Sequence, residues 1–298
     1  MTNKGVVTLA PQTLTDSQQE SYAENGYLLL EGPIGQDWLS RLRAAITEII
    51  DDSRSITEST EDIWLEKGHT SEEPRLLRLN RPDVHHPDFW AYAKDSVLAD
   101  IAVDLLGPDI RFSHSLFNFK WAGIGQAVKW HQDIPFYPHT NYAVLSISTF
   151  IEDVGFEQGP VRVVPGSHRE QIYSHYTEGG DWAACMRERD LIDLQVERSR
   201  ALMGPAGTLT VHSARLVHAS DPNRSNKGRP ILVNVYTAAD ALPYSNLAQR
   251  STNTGTIVRG TPATYARMDP EPCPLPPDFS KGFSVENATF SEASLDDG

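Results

Sequence analysis

Residues 110–152 read IRFSHSLFNFKWAGIGQAVKWHQDIPFYPHTNYAVLSISTFIE. β-Branched and aromatic residues gather here in short runs that Gly, Pro and Asn interrupt, the pattern of antiparallel strands joined by turns. Working outward, runs of the same kind give strand candidates at 110–120, 128–133, 143–152, 161–164, 200–203, 208–212, 215–219 and 230–237. Eight short strands predict a mainly β fold, a double-sheet jelly roll, with helices flanking it.

The helices are expected before this core. Thr15-Asp16-Ser17-Gln18 reads as a capping box, Asn25-Gly26 as a left-handed stop, and Tyr27-Leu28-Leu29-Leu30 as a short strand. From Gln36 to about residue 51, Leu39, Leu42, Ile46 and Ile49 recur at three- and four-residue steps, an amphipathic stripe suited to packing on a sheet. Residues 52–73 are polar and read as a mobile surface loop, and 96–106 as another helix. The expected organisation is one domain over 1–298: a helical scaffold at 14–107, a jelly-roll core at 108–240 and a C-terminal extension at 241–298. The core carries a polar insertion at 167–196, placed to act as a lid, and the extension is expected to be extended or partly disordered from Pro270 onward.

The formal charge of −14 argues against a nucleic-acid partner, because no grouped Lys and Arg offer a phosphate-binding surface. Cys185 and Cys273 form no Cys-x-x-Cys pair, so neither a disulfide framework nor a zinc-thiolate site is expected. The run Val6 to Ala10 is too short for a signal peptide, and no segment has the apolar length to cross a bilayer. These features predict a cytoplasmic protein with a small-molecule substrate and no membrane partner.

Chemistry concentrates at Trp130-His131-Gln132-Asp133. Residues two apart on a strand share a face, so His131 and Asp133 can both look into a barrel while Gln132 looks away. A second imidazole completes a two-histidine, one-carboxylate set that leaves three metal positions open, the arrangement of non-heme Fe(II) oxygenases. His218, after Leu216-Val217, is the leading third ligand, and His212 is its rival. A lone His-x-Asp is commonly ordinary strand polarity. Arg229 strengthens the metal reading: a hairpin from the strand of His218 would return it to the metal, where its guanidinium can grip a carboxylate through two parallel hydrogen bonds.

These residues belong to a longer pattern. His131-x-Asp133, the stretch Gly159-Pro160-Val161-Arg162-Val163-Val164-Pro165-Gly166-Ser167-His168, and His218-Ala219-Ser220-x-x-Asn223-x-Ser225-x-x-x-Arg229 together resemble the phytanoyl-CoA dioxygenase family, which includes ectoine hydroxylase. The resemblance covers roughly 14–237. It implies a cupin-like double-stranded β-helix and an Fe(II)- and 2-oxoglutarate-dependent dioxygenase that consumes O2. It further implies His131, Asp133 and His218 as iron ligands, Arg229 as partner of the distal carboxylate of 2-oxoglutarate, and Ser220 as its assistant. Asn118, in Phe117-Asn118-Phe119-Lys120, and Ser146, in Val144-Leu145-Ser146-Ile147-Ser148, are implied cosubstrate contacts. The spacing from Ser220 to Arg229 favours His218 over His212.

The segment 134–142 is shorter than its counterpart in ectoine hydroxylase and lacks its Asp-Gly-rich stretch, which argues against ectoine as substrate. Phe136, Tyr137 and His139 follow the ligands closely and are candidates for the substrate face. Lys120, Lys129 and Arg162 are candidates to meet an anionic substrate, with solvated surface charge the commoner role for at least two of them. An intact Asp133 disfavours halogenation, for which family members carry a small residue there. The expected reaction is hydroxylation of an unactivated C–H bond with release of succinate and CO2. Its alternatives are desaturation, epoxidation or cyclisation at the same iron, and, from a different class, a non-catalytic jelly-roll binding protein.

Overall fold

A computed structural model describes residues 13–281 and 290–291. The expectations for residues 6–10 and for most of the tail beyond 281 lie outside these residues. Among the described residues, thirteen strands form two antiparallel sheets. Their order in the chain is β1 (Tyr27–Leu30), β2 (Ile63–Leu65), β3 (Leu76–Asn80), β4 (Ile110–Asn118), β5 (Ala127–His131), β6 (Val144–Phe150), β7 (Val161–Val163), β8 (Arg200–Leu202), β9 (Leu209–Ser213), β10 (His218–Ser220), β11 (Ile231–Ala238), β12 (Ile257–Arg259) and β13 (Phe290–Ser291). The major sheet runs β1-β9-β6-β11-β4-β3-β2 with β12 beside β4, and the minor sheet runs β13-β5-β10-β7-β8. All eight expected strands are present in this jelly roll.

Alternation explains how one sheet serves two environments. On β6, which is buried throughout, Leu145 and Ile147 join the large apolar core, while Ser148 lines a cavity between the sheets. On β11, Leu232 and Tyr236 join that core and Ile231, Val233 and Val235 line the cavity. The helices α1 (Asp16–Asn25), α2 (Gln36–Asp52), α3 (Pro82–His85), α4 (Pro87–Asp95) and α5 (Val97–Leu106) precede β4, and α2, α4 and α5 supply much of that core. The α2 stripe of Leu39, Leu42, Ile46 and Ile49 is buried as its spacing predicts, each such side chain contributing about 1.5–3 kcal/mol. Thr15 caps α1 in the expected capping box, and Gly26 ends it at φ 79°. A Cβ on Gly26 would lie 2.4 Å from the His168 ring, so this glycine is required by close approach as well as by its φ.

Three expectations are corrected. Residues 52–73 are not simply a surface loop: they contain β2, whose Trp64 is fully buried against Leu77 and Phe279. Strand β5 stops at His131, so Asp133 is not a strand residue; it stands in helical conformation at the head of the 3-10 turn Ile134–Phe136. β10 and β11 do not pair as a hairpin, because β10 lies in the minor sheet and β11 in the major one. Arg229 reaches the interior on the crossing between them, its backbone N–H donating to the Lys120 carbonyl at 2.8 Å. The insertion, expected as a polar lid, forms a packed layer. It contains α6 (Glu188–Ile192) and buries Tyr173, His175, Ala184 and Met186.

Candidate active site

His131 closes β5, His218 opens β10, and the two residues pair directly across the minor sheet. Their neighbours explain why the sequence folds this way. Gly159 has φ 64° and sits so close to the strand after His218 that a Cβ would fall 2.1 Å from the Asp221 carbonyl oxygen. Ser167, later in the same motif, accepts from the Val217 N–H through Oγ at 2.9 Å and donates to the Val164 carbonyl at 2.7 Å, fixing the residue before His218. The Gly-Pro-Val-Arg-Val-Val-Pro-Gly-Ser-His stretch is thus the mould for the distal histidine.

Each histidine donates from Nδ1 to the carbonyl two residues behind it: His131 to Lys129 at 2.8 Å and His218 to Leu216 at 2.9 Å. That bond fixes the tautomer and turns the Nε2 lone pair inward. Both Nε2 atoms lie 3.7 Å from Asp133 Oδ1. One ligand atom from each of the three residues falls within 4.8 Å of the others. Separations below about 4.2 Å can be spanned by a single ion at about 2.1 Å from each atom. Asp133 Oδ2 faces the other way and is occupied, accepting from Ser146 Oγ at 2.8 Å and from His212 Nε2 at 3.2 Å. His212, the rival third ligand, therefore orients the carboxylate from behind.

Burial sets the charges. It pushes His131 well below the usual imidazole range, reinforced by His218, and holds His218 at about 4 against the pull of Asp133. Burial alone would raise Asp133, but His218, the hydrogen bond and charge of His212, and His131 outweigh it and keep the carboxylate ionised. Two neutral imidazoles and one carboxylate are the protonation states a divalent metal requires of such ligands.

The cavity between the sheets has a volume of about 130 Å³. At the end away from the triad, Arg229 and Lys120 are both 3 % exposed. Among the described residues, no group is bonded to the Arg229 Nε, and burial lowers its pKa to about 9. Burial, then the nearby Arg229, brings Lys120 well below the usual lysine range; its ammonium donates to Ser220 Oγ at 2.8 Å and to the Asp221 carbonyl.

The other expected residues divide. Asn118 lines the cavity, with its Oδ1 accepting from Arg78 Nε at 3.1 Å. Ser146 is not among the residues that line the cavity; its hydroxyl donates to Asp133 Oδ2. Ser220 lines the wall as Lys120's partner. Phe136 and Tyr137 line the cavity, whereas His139 lies behind Tyr137, bonded through Nδ1 to its carbonyl at 2.6 Å and away from the wall. Lys120 is not solvated surface charge, while Arg162 pairs with Asp221 at the exterior. Arg78, His114 and Gln249 also line the cavity and escaped the sequence reading. Period-two spacing back from Asn118 would have found His114.

Two antiparallel sheets closing over a His-Asp-His set and a buried arginine define a class, the Fe(II)- and 2-oxoglutarate-dependent dioxygenases. The family profile described as phytanoyl-CoA dioxygenase (PhyH) matches residues 22–231, and the chain belongs to this family. It is 28% identical over 261 residues to a probable alpha-ketoglutarate-dependent hypophosphite dioxygenase of Stutzerimonas stutzeri, covering 87% of this chain and 91% of that protein. An ectoine dioxygenase of Bordetella parapertussis is 24% identical, with 76% of each chain covered. The fold is similar to the crystal structure of EctD from S. alaskensis with bound Fe, with a TM-score of 0.68 at 23% identity over 90% of this chain and 89% of that one.

Proposed function

We propose that His131, Asp133 and His218 hold Fe(II), that Arg229 with Lys120 and Ser220 receives the distal carboxylate of 2-oxoglutarate, and that the enzyme hydroxylates an unactivated C–H bond of a small-molecule metabolite, releasing succinate and CO2. The observation that carries this reading is the orientation of the triad: both Nδ1–H groups are spent on backbone carbonyls and both Nε2 atoms converge on the same carboxylate oxygen. Histidines serving only as packing residues have no reason to share that geometry, which counts against the non-catalytic binding protein. The donor set fits Fe(II), and a desolvated guanidinium with an unbonded Nε fits a carboxylate ligand.

When bound, iron supplies activation of O2 coupled to decarboxylation of 2-oxoglutarate. The chain's own residues hold the cosubstrate at a fixed distance from the triad, orient the substrate and exclude water. Phe136 and Tyr137 form the apolar wall nearest the ligands. Gln132 secures the cover: its amide donates to the Arg215 carbonyl at 2.7 Å and accepts from the Tyr173 N–H at 2.8 Å, tying the insertion to the strand that ends in His131. Unpaired Cys185 and Cys273 support a reducing compartment such as the cytoplasm, and among the described residues no helix is long and apolar enough to cross a membrane.

The test is substrate-dependent succinate release from the iron-loaded protein over a metabolite panel that includes hypophosphite, L-proline and ectoine, with mass analysis of each product. A gain of one oxygen atom supports hydroxylation. Loss of two hydrogens without oxygen gain assigns desaturation or ring closure instead.

A further inference from the structure

We infer that His175 is a positioning residue for the iron ligands, and that through it the insertion at 167–196 sets the geometry of the metal site. This inference rests on the iron reading above and adds a residue to it. His175 is fully buried and repeats the arrangement of the two ligand histidines: its Nδ1–H donates to the carbonyl two residues behind it, that of Tyr173, at 3.0 Å. That bond leaves Nε2 as an acceptor. In His131 and His218 the same lone pair turns towards Asp133, whereas in His175 it accepts the backbone N–H of Gln132 at 3.1 Å. Gln132 is the residue between His131 and Asp133.

The chain needs an acceptor at this point. Strand β5 ends at His131, where its pairing with β10 also ends, and Asp133 already has helical backbone. The change of direction therefore falls on Gln132, which has no exposure to solvent. A buried N–H left without a partner is costly, and His175 supplies the partner from a distant part of the chain. Met186, also in the insertion, donates its N–H to the Trp130 carbonyl at 2.9 Å. The insertion thus holds the backbone on both sides of His131, at Trp130 and at Gln132. Where it sits decides the spacing of His131 and Asp133.

Packing fixes His175 in turn. Its ring stacks on Trp182 with centroids 6.0 Å apart and meets Phe136 edge-on at 5.7 Å, and Phe136 lies edge-on to His131 at 5.9 Å. The Ala183 N–H donates to the His175 carbonyl at 2.9 Å. Coupling of this kind is reciprocal: if the docked insertion tightens the metal site, the bound metal must hold the insertion in place by the same factor.

The test titrates the full chain anaerobically with Fe(II) against a competing chelator, and follows hydrogen exchange of the metal-free and iron-loaded forms by mass spectrometry. In the wild type, Fe(II) should slow exchange across 171–187 by at least about fivefold, the lower end of ordinary coupling between sites. His175→Phe keeps a ring but loses the acceptor. It should weaken Fe(II) binding by about 10–100-fold, the usual cost of losing a group that orients a ligand, and should abolish the slowing. His175→Gln, whose Oε1 offers an acceptor again, should bind Fe(II) within about threefold of wild type. Unchanged iron affinity in His175→Phe, or an equal loss in both variants, which would mark ring packing as the cause, overturns the inference. So does exchange across the insertion that Fe(II) leaves unaltered in the wild type, a comparison that needs no variant to fold. A wild-type protein that binds no Fe(II) would instead overturn the iron reading and this inference with it.

Discussion

The two ends of the cavity are built on opposite principles. At the triad, the outward-facing polar atoms of the three ligands are satisfied from within: backbone carbonyls take the histidine Nδ1–H groups, and Ser146 and His212 donate to the second oxygen of Asp133. At the other end, Arg229 is as deeply buried, yet its Nε has no protein partner among the described residues and no carboxylate faces it. One end is preorganised and self-supporting; the other holds a charge that only a ligand can neutralise. The difference teaches which part of the site is fixed by folding and which part is completed on binding.

Four experiments probe this contrast. Asp133→Ala should reduce coupled succinate formation to background, and should also destabilise the metal-free protein by about 1–3 kcal/mol, because the Ser146 and His212 donors lose their acceptor. Activity assays and chemical denaturation check both. Arg229→Met should do the reverse to stability. It should weaken 2-oxoglutarate binding by at least ~30-fold, the cost of truncating one partner of a buried charge pair, while the melting temperature of the ligand-free protein holds or rises because an uncompensated charge is gone. Calorimetric titration and a thermal melt settle it; a markedly lower melting temperature would show that the two ends are alike after all.

Smaller effects follow behind the ligands. Ser146→Ala should lower Fe(II) affinity by about 10–100-fold while leaving the 2-oxoglutarate KM at saturating metal nearly unchanged, since the hydroxyl donates to Asp133. A raised 2-oxoglutarate KM with unchanged metal affinity would return Ser146 to the role that the family resemblance implies. A separate effect is on pH. His114, His139 and His175 are buried and held neutral, at about 3, 4 and 4, whereas an unfolded histidine titrates near 6.5. The unfolded chain therefore binds more protons below that value. Stability should be full above about pH 6.5 and decline towards pH 4, by on the order of 1 kcal/mol per pH unit for each residue. Denaturation at pH 7 and pH 5 reads the difference.

The jelly roll was legible because strand runs such as Val144 to Phe150 have one character whatever surrounds them. The triad and Arg229 were legible because their spacing is local to two short stretches. What escaped depended on tertiary context. β2 and Trp64 hide in a polar segment, where burial comes from Leu77 and Phe279, distant in sequence. The position of Arg229 was right for the wrong reason, because a crossing between sheets and a hairpin leave the same trace in the chain. Lys120, Lys129 and Arg162 look alike in the sequence, and only the fold separates Lys120, whose amine is turned inward onto Ser220. The helix α4 was readable in principle, with Pro87 at its first position and Phe89 and Tyr92 spaced to share a face.

The central claim is that one Fe(II) sits on His131, Asp133 and His218 with 2-oxoglutarate beside it. Anaerobic titration of the metal-free protein with Fe(II) and 2-oxoglutarate, followed by visible absorption, tests it most directly. The account predicts a charge-transfer band that saturates at one iron per chain and is lost in the His131→Ala/His218→Ala double variant. A wild-type protein without the band, or a double variant that retains it in full, would contradict the account.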